Sequence, residues 1–395
     1  PARVLLRELP RALSRFVALE QSGGIVIIVA TCAALVAANT GLAGAYAGLT
    51  KWPVVLGFES VGYAGTLKSF TKDVLMVPFF FAIGMELKRE MAVGVLRQRA
   101  QIVLPLLAAL GGMVVPAIVF LLVNVGSPAN LRGWAIPTAT DIAFALAVLL
   151  IAARTLPPAL KIFLLAIAIF DDLGAILIIA TIYSGHLAAA PLLLAAALIG
   201  ALVLLNRARV ASLLPYAAVG MALAVALEFG GIHATLAGVV TGLLVPATET
   251  DDEHGLLARA IHGVHPWVTF GVLPLFAFVS AGVPLAGLAL ADLLAPLPLG
   301  IALGLFLGKQ AGVMAGTLLA VRSGLAALPE GVTWRQVHAV SMLAGVGFTM
   351  SLFIGYLAFD SVGAQNQVTT GVLAGSVLSA LAGAIAARLA GQVNS

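Results

Sequence analysis

Residues 161–180 read KIFLLAIAIFDDLGAILIIA, a run that is apolar after its first residue except for Asp171 and Asp172 at its centre. A helix of about 20 mostly apolar residues crosses the ~30 Å hydrocarbon core of a membrane. At about 1.5 Å per residue, the two aspartates lie roughly 15 Å from either end of such a helix. The stretch therefore predicts a membrane-spanning helix with two carboxyl groups at mid-membrane.

The composition of the whole chain agrees with this reading. Of its 395 residues, 61% are hydrophobic and 10% are charged, and the mean hydropathy is +1.10. Soluble proteins carry about 45–50% apolar and about 25% charged residues. So few polar side chains cannot cover a water-soluble surface. The composition excludes a soluble enzyme, a nucleic-acid-binding protein and a disordered chain, and predicts one all-α integral membrane domain over residues 1–395 in contact with lipid.

Uncharged runs separated by turn residues predict twelve transmembrane helices. The predicted spans are 23–40, 71–87, 101–123, 134–152, 159–183, 188–205, 211–228, 231–246, 265–282, 297–320, 336–357 and 367–389. Sixteen of the 21 Lys and Arg residues then fall on the side that holds the N-terminus, three fall on the other side and two lie inside spans. Because Lys and Arg accumulate in cytoplasmic loops, we expect both termini to be cytoplasmic.

Two features divide the chain further. Residues 41–70 form the one sizeable external connection, which is either an irregular loop or a β-hairpin, because 54–61 mixes β-branched and aromatic residues between glycines. The blocks 101–183 and 297–389 share a rough hydropathy layout, and each has an interrupted middle span. The single cysteine, Cys32, excludes an internal disulfide framework.

Four ionisable residues lie in mid-span, namely Asp141, Asp171, Asp172 and Lys309. Such residues cost about 2.5–3.5 kcal/mol each on insertion scales, so they usually mark a transport path. A structural ion pair is the alternative, but one lysine cannot neutralise three carboxylates. Desolvation and mutual repulsion favour protonation of the adjacent pair, while a hard cation favours its ionised oxygens. Competition between protons and a small cation predicts ion exchange, and the absence of a GxxxxGK[ST] motif indicates that ion gradients drive it.

The middle span of each block should break. Pro137 lacks an N–H and disfavours helical geometry at Ile136, so Thr138, Thr140 and Asp141 become capping candidates for a second half-helix. In the other block, Gly345 and Gly347 interrupt the span. If the two broken spans cross, paired half-helix ends carry about +0.5 or −0.5 charge each. Asp141 and Lys309 have the signs that would balance them, and we prefer this role of Asp141 over direct ion ligation.

The chain resembles the NhaA family of bacterial sodium/proton antiporters. The resemblance is carried in order by WAIPTATDIAFAL at 134–146, IFDDLGAI at 169–176, HATLAG at 233–238, LPLFAF at 273–278, GK at 308–309 and GVGFTMS at 345–351. It implies an inverted-topology fold with two discontinuous crossed helices, for which this family is a standard example. The blocks 101–183 and 297–389 would form the ion-binding core, and 23–87 with 211–282 a dimerisation or scaffold part.

The resemblance also implies an activity. A secondary transporter of this family exports Na+ or Li+ in electrogenic exchange for external protons by alternating access, without a cofactor. It is activated at alkaline pH, serves pH and sodium homeostasis in the inner membrane, and forms a homodimer partly through the external hairpin. By matching position, Asp172 would be the main sodium ligand and proton carrier, with Asp171 beside it, and Thr140 and Asp141 would mark the crossing. Lys309 would pair with Asp171, compensate the helix ends or carry a proton.

For pH control, the resemblance points to a cytoplasmic patch and to one histidine near the external end of a span, for which a packing role is the alternative. These residues are Glu86, Glu90, Arg259, His262, His265 and His233. The best-known member of the family has an acidic residue at the position of Ile261 and a lysine at that of Ala258, so the resemblance does not set the pH of activation. Gln310 stands where a proline often follows the lysine.

Three rival functions remain for comparison. A sodium-coupled solute symporter of related fold would need polar substrate contacts beyond the ion site and no aspartate pair. A channel would conduct ions without competition between protons and sodium. An intramembrane aspartyl protease would need Gly-x-Gly-Asp, but Phe348 follows Gly347 here.

Overall fold

The fold is described from a computed structural model, for residues 21–58, 61–94, 99–153, 157–185, 187–247, 255–285 and 289–392. Several basic residues used for the topology prediction, and one residue of the predicted divide between two spans, lie outside these ranges. They are Arg3, Arg7, Arg11, Arg15, Arg97, Arg154 and His186.

The described part of the chain is mostly helical. The first elements are α1 (Ser22–Ala38), α2 (Ala43–Thr50), β1 (Pro53–Phe58), β2 (Val61–Thr66), α3 (Leu67–Phe70), a π-helical turn (Thr71–Leu75) and α4 (Met76–Ala92). Strands β1 and β2 pair antiparallel from Pro53 opposite Thr66 to Phe58 opposite Val61. Of the two alternatives for residues 41–70, the structure has the hairpin. It also has α2 there, which the reading of 41–70 as a connection did not predict.

The central elements contain the first broken helix. They are α5 (Arg99–Val123), a 3-10 segment (Pro128–Thr138), α6 (Ile142–Ala152), α7 (Pro158–Ile182), α8 (Ala189–Arg207), α9 (Leu213–Phe229) and α10 (Thr235–Leu244). The 3-10 segment and α6 are bent by 50° at the residues between them. Helix α7 contains the quoted run and keeps Asp171 and Asp172 in its middle.

The last elements contain the second broken helix. They are α11 (Leu256–Trp267), a π-helical turn (Val268–Val272), α12 (Leu273–Ala281), α13 (Leu290–Leu293), α14 (Pro296–Leu303), a π-helical turn (Gly304–Gly308), α15 (Lys309–Arg322), α16 (Trp334–Leu343), α17 (Phe348–Ala358) and α18 (Val362–Gln392). Helices α16 and α17 are bent by 45° at 344–347.

Each predicted span overlaps a helical segment of the structure, but not all of these segments are clear membrane spans. Among the described residues, six helices are long and apolar enough to cross a membrane, or up to nine if each of three bent pairs counts as one span. The third bent pair is α1 with α2, at 117°. The structure thus shows a multi-pass helical membrane protein, and the number twelve stays a prediction.

One predicted boundary was wrong. The span predicted to start at 265 belongs to a helical stretch that starts at Leu256. Polar residues such as Arg259 and His262 indicated a loop, but they alternate with buried Leu257 and Ile261 as on one amphipathic helix. The exposed face of an amphipathic helix was therefore mistaken for a connection.

Close packing of α5 and α15 positions the buried lysine. A Cβ atom at Gly111 or Gly312 would collide with the backbone of the other helix, so only glycine allows the two helices to approach this closely. Lys309 is the first residue of α15, directly after the π-helical turn, and its side chain is fully buried. The approach of these helices brings that side chain to the breaks described next.

Candidate functional site

Asp141 lies at the break of the first bent pair and begins helix α6. Its Oδ1 accepts a hydrogen bond from the backbone N–H of Phe144 at 3.0 Å, in the N-cap position. Because Pro137 and the extended Ala139 end the preceding 3-10 segment, the N–H groups in the first turn of α6 have no partners within the helix. The capping geometry that the sequence predicted for Asp141 is present.

The same side chain also reaches the second break. Asp141 Oδ2 accepts hydrogen bonds from the backbone N–H of Thr349 at 3.0 Å and from its hydroxyl at 2.5 Å. The backbone N–H of Asp141 donates to Val346 O at 2.6 Å. One carboxyl group therefore sits at the amino ends of both α6 and α17, where a negative charge is favoured by the helix dipoles.

Lys309 lies on the opposite side of the first break. Its Nζ donates to Thr138 O, at the carboxyl end of the 3-10 segment, and to Asp171 Oδ2 at 2.5 Å. Both side chains of this ion pair are fully buried. The lysine thus makes two contacts that the sequence left as alternatives, one with the aspartate and one with a helix end.

Thr140 connects this ion pair to the second break. Its hydroxyl lies 2.7 Å from Asp171 Oδ2 and 2.8 Å from Ala344 O, and it can donate to either. Asp171 Oδ2 is therefore shared by a hydroxyl and an ammonium group. Four of the predicted residues, Asp141, Thr140, Asp171 and Lys309, come together at the contact of the two breaks.

Asp172 faces elsewhere, as expected for adjacent residues about 100° apart on a helix. It lines a small cleft together with Glu86 and with apolar side chains from three helices. Those side chains are Ile83, Leu87, Ile142, Ile169, Leu173 and Ile176. Asp172 Oδ1 is buried without a hydrogen-bond partner among the described residues, and so is Asp171 Oδ1. Both oxygens therefore remain available as acceptors.

The buried carboxyl oxygens can in principle take up a hard cation or a proton. Within the described residues, no three His, Cys, Asp or Glu side chains come together as ligands of a resident metal. Of the three buried carboxyl groups, those of Asp141, Asp171 and Asp172, the one that pairs with the buried ammonium group of Lys309 is that of Asp171. Since Asp171 and Asp141 already have charged or N–H partners, Asp172 is the group with capacity for a hard cation or a proton.

The residues predicted for pH control lie in two places in the described part of the chain. Glu86 is half-buried in the cleft, and Glu90 follows one turn later on α4. Three others are exposed on α11, which packs against α4, namely Arg259, His262 and His265. His262 Nδ1 contacts Ala258 O at 2.8 Å, and His265 Nδ1 contacts Thr269 Oγ1 at 3.3 Å. His233 is separate from them, at the start of α10 near Glu228, whose Oε2 accepts from Ala234 N.

Sequence reasoning missed some of the polar groups that hold the breaks together. Thr349 was part of a quoted motif but received no role. A hydroxyl residue just after a glycine-rich break could have been predicted to hydrogen-bond there. Ser351 belongs to the same motif and also received no role, and Ser376 gave no signal in the sequence. Ser376 Oγ accepts from Phe348 N at 3.2 Å, and Ser351 Oγ donates to Ile136 O at 2.7 Å. Both contacts join residues far apart in the chain.

Gln310, noted in the sequence for its unusual position, also has a defined contact. Its Nε2 donates to Phe306 O, within the π-helical turn that precedes Lys309. The side chain therefore bonds the helix that carries the lysine rather than the ion pair.

Comparison with known proteins gives a consistent result over almost the whole chain. The family model described as Na+/H+ antiporter 1 matches residues 14–387. The chain is 48% identical over 388 residues to the Na(+)/H(+) antiporter NhaA of Rhodospirillum rubrum, which covers 96% of this chain and 97% of the relative. It is 47% identical over 381 residues to the protein of that name from Paramagnetospirillum magneticum, with 96% and 97% covered. A third relative so named, from Pseudomonas fluorescens, is 46% identical over 372 residues, with 94% of each chain covered.

Proposed function

The chain belongs to the Na+/H+ antiporter 1 family, and on that premise we propose that it exports Na+ or Li+ in exchange for external protons by alternating access. The observation that carries the proposal is the contrast within one buried pair. Asp171 is held through Oδ2 by Lys309 and Thr140, while Asp172 forms no salt bridge among the described residues and faces a cleft. Family membership makes the protein a bacterial sodium/proton antiporter of the membrane, and the further details below are proposals.

Asp172 is the carrier in this mechanism. A dehydrated sodium ion binds carboxyl oxygens, and it can do so only when they are ionised. A proton at the same oxygens removes the charge and releases the ion. Because an isolated charge in the apolar cleft is costly, the site is always occupied by one or the other. Exchange follows when the site opens to one side of the membrane with sodium bound and to the other side with protons bound.

A second proton makes the exchange electrogenic. Two protons for each sodium ion require a second titrating group next to Asp172. Either Asp171 or Lys309 can be this group. Once their ion pair is broken, each of them can gain or lose a proton. Asp141 and Thr140 fix the two half-helices around this site rather than bind the ion.

The fold that we propose around this site has twelve transmembrane helices with inverted repeats at 101–183 and 297–389. Contact between the two breaks supports crossed half-helices at the centre of those repeats. Both termini face the cytoplasm, and the protein lies in the inner membrane. The segments 23–87 and 211–282, with the external hairpin, join two copies into a homodimer.

Activation at alkaline pH is assigned to the cytoplasmic ends of α4 and α11. Glu86 faces the same cleft as Asp172, and α11 carries the exposed Arg259, His262 and His265 beside α4. The two histidines motivate this assignment, because histidine is the side chain whose ordinary pKa lies nearest to neutral pH. His233 is a separate group near the opposite face.

The deciding experiment measures sodium-induced collapse of a pH gradient in proteoliposomes that contain the full-length protein. Wild type should collapse the gradient with Na+ and Li+ and more strongly at alkaline pH. Addition of K+ under clamped potential serves as the ion control. A gradient that survives both sodium and lithium at every pH from 6.5 to 9 contradicts the proposed function.

A further inference from the structure

The π-helical turn at Gly304–Gly308 contacts both breaks and leads directly into the lysine of the ion pair. Gly304 packs on Pro137 of the first break so closely that an added Cβ atom would lie 2.7 Å from the Cβ atom of that proline. Leu305 O lies against Gly345 of the second break, where an added Cβ atom would collide with it. The turn is therefore fixed on two sides before the chain reaches the lysine.

The turn also changes the spacing of the backbone hydrogen bonds. The N–H of Lys309 donates to Gly304 O, five residues back, whereas an α-helix pairs each N–H with the carbonyl four residues back. When the chain returns to α-helical spacing in α15, this stretch has one more carbonyl than it has N–H groups. One carbonyl oxygen therefore needs a donor from elsewhere, because water does not supply one inside a membrane.

Gln310 supplies a donor in this stretch. Its Nε2 donates to Phe306 O, which lies within the turn, and both side chains are half-buried. In a regular α-helix, Phe306 O would accept from the backbone N–H of Gln310. The side chain thus competes for the acceptor whose backbone bond would convert the turn into α-helix, and it favours the wider turn.

The width of the turn determines the direction of Lys309. One residue more or less in a helical turn rotates everything after it by about 100° and displaces it by about 1.5 Å. The lysine side chain runs along α5, where a Cβ atom at Gly112 would lie 3.8 Å from Nζ, and it ends at Asp171 and Thr138 O. Both acceptors belong to other elements, so a rotation of the lysine would separate its ammonium group from them.

We propose that Gln310 is a positioning residue for Lys309. Its amide group holds the π-helical turn open, and the turn directs the ammonium group toward Asp171. Gln310 does not line the cleft of Asp172 in the described part of the chain, so it acts through the lysine and not on the ion. The inference rests on the proposed function where it concerns transport, because the ion pair serves exchange only in that mechanism.

A purely local role of Gln310 is the alternative. Its amide would then satisfy one carbonyl oxygen and stabilise α15 by the same amount whether or not an ion pair is present. The two roles differ in one measurable respect, which is whether the effect of Gln310 depends on Lys309 and Asp171.

A double-mutant cycle on thermal unfolding of the full-length protein in lipid nanodiscs measures that dependence. Gln310→Met keeps the length of the side chain and removes its donor, and it should lower the unfolding midpoint of wild type by several degrees. In the background Lys309→Met, Asp171→Leu, which lacks the ion pair, the same substitution should cost about half as much or less. Equal losses in the two backgrounds overturn the positioning role.

Gln365→Met is the matched control for this cycle. Gln365 is a half-buried glutamine on α18 whose Nε2 donates to the backbone at Phe359 O, at 2.9 Å, away from the ion pair. Its loss should be the same in both backgrounds. A cycle in which Gln365→Met depends on the ion pair as strongly as Gln310→Met does also overturns the proposal.

Sodium exchange in proteoliposomes adds a rescue test. Proline has no N–H with which to close the α-helical turn onto Phe306 O, so Gln310→Pro should keep the wide turn and stay within about twofold of wild type. Gln310→Met should lower exchange about tenfold, because small displacements of a positioned group are costly. If both variants are folded and lose equally, the width of the turn is not the cause and the inference is overturned.

The two experiments separate this inference from the proposed function. A wild type that does not exchange sodium overturns the proposed antiport, and the unfolding cycle still decides the role of Gln310. A wild type that exchanges sodium normally, with equal losses of stability in the two backgrounds, overturns the positioning role and leaves the antiport intact.

Discussion

The contact between the two breaks and the cleft at Asp172 both contain buried acidic groups, but they differ in how those groups are compensated. At the breaks, Asp141 accepts three hydrogen bonds, and Asp171 has an ammonium and a hydroxyl partner. In the cleft, Asp172 has an oxygen without a partner and another acid, Glu86, nearby. The first arrangement stabilises the fold, and the second leaves a group available for a ligand. The following predictions test that division.

The largest expected effect is on transport and falls on Asp172. Asp172→Asn should reduce sodium exchange about 100-fold or more, because a lost charge–ion contact of about 3 kcal/mol corresponds to that factor. Thermal stability should be unchanged or higher, since the variant removes an uncompensated buried charge. Gradient collapse in proteoliposomes and thermal unfolding in detergent measure the two outcomes. Exchange that persists in Asp172→Asn would move the ion site elsewhere.

The next effect is on stability and falls on Lys309. Lys309→Ala leaves Asp171 charged and buried without its ammonium partner, and it removes the bond to Thr138 O. We expect a loss of about 3–5 kcal/mol in the free energy of unfolding. Thermal unfolding checks it, with the double variant Lys309→Met, Asp171→Leu as control, which should recover most of the loss. A Lys309→Ala variant as stable as wild type would show that the pair is not structural.

A smaller loss of stability is expected at Thr349. Thr349→Val removes the hydroxyl bond to Asp141 but keeps the backbone bond. The expected cost is about 1–3 kcal/mol, since a buried carboxyl oxygen loses one donor. Thr317→Val is the matched control, because the equally buried hydroxyl of Thr317 donates to its own helix at Val313 O. Equal losses in the two variants would remove any special role of the bond between the breaks.

The smallest effect is expected at Glu86. Glu86→Gln removes a negative charge from the cleft and should weaken the apparent affinity for sodium about two- to fivefold, since a partly exposed charge contributes about 0.2–1 kcal/mol. The effect should shrink when choline chloride raises the ionic strength. Glu90→Gln, one turn further along α4, is the control, because Glu90 does not line the cleft. If Glu90→Gln lowers the sodium affinity as much as Glu86→Gln does, the effect comes from the general surface potential and not from the cleft.

The class of protein and the ionisable centre followed from local sequence alone. The cost of charge in lipid identifies Asp141, Asp171, Asp172 and Lys309 without knowledge of the fold. Pro137 predicts where the first span breaks, because a missing N–H acts within one turn of the chain. In both cases the physical cause lies within a few residues of the effect.

Contacts between distant segments could not be predicted in this way. Whether Asp171 or Asp172 faces Lys309 depends on the rotation of α7 against α15, which packing sets. The same holds for Ser376 at the second break and for Lys68 beside Tyr356. The predicted span start at 265 was wrong for a different reason. The amphipathic helix α11 and a loop have similar composition over ten residues.

The single hydrogen of the Thr140 hydroxyl has two acceptors within reach, and it can serve only one of them at a time. While Asp171 is ionised, that hydrogen is attracted to the carboxylate. Once Asp171 takes up a proton, the attraction weakens and Ala344 O becomes the better acceptor. Rotation about one C–O bond thus makes the backbone of the second break sense the ionisation of Asp171, with no displacement of either helix.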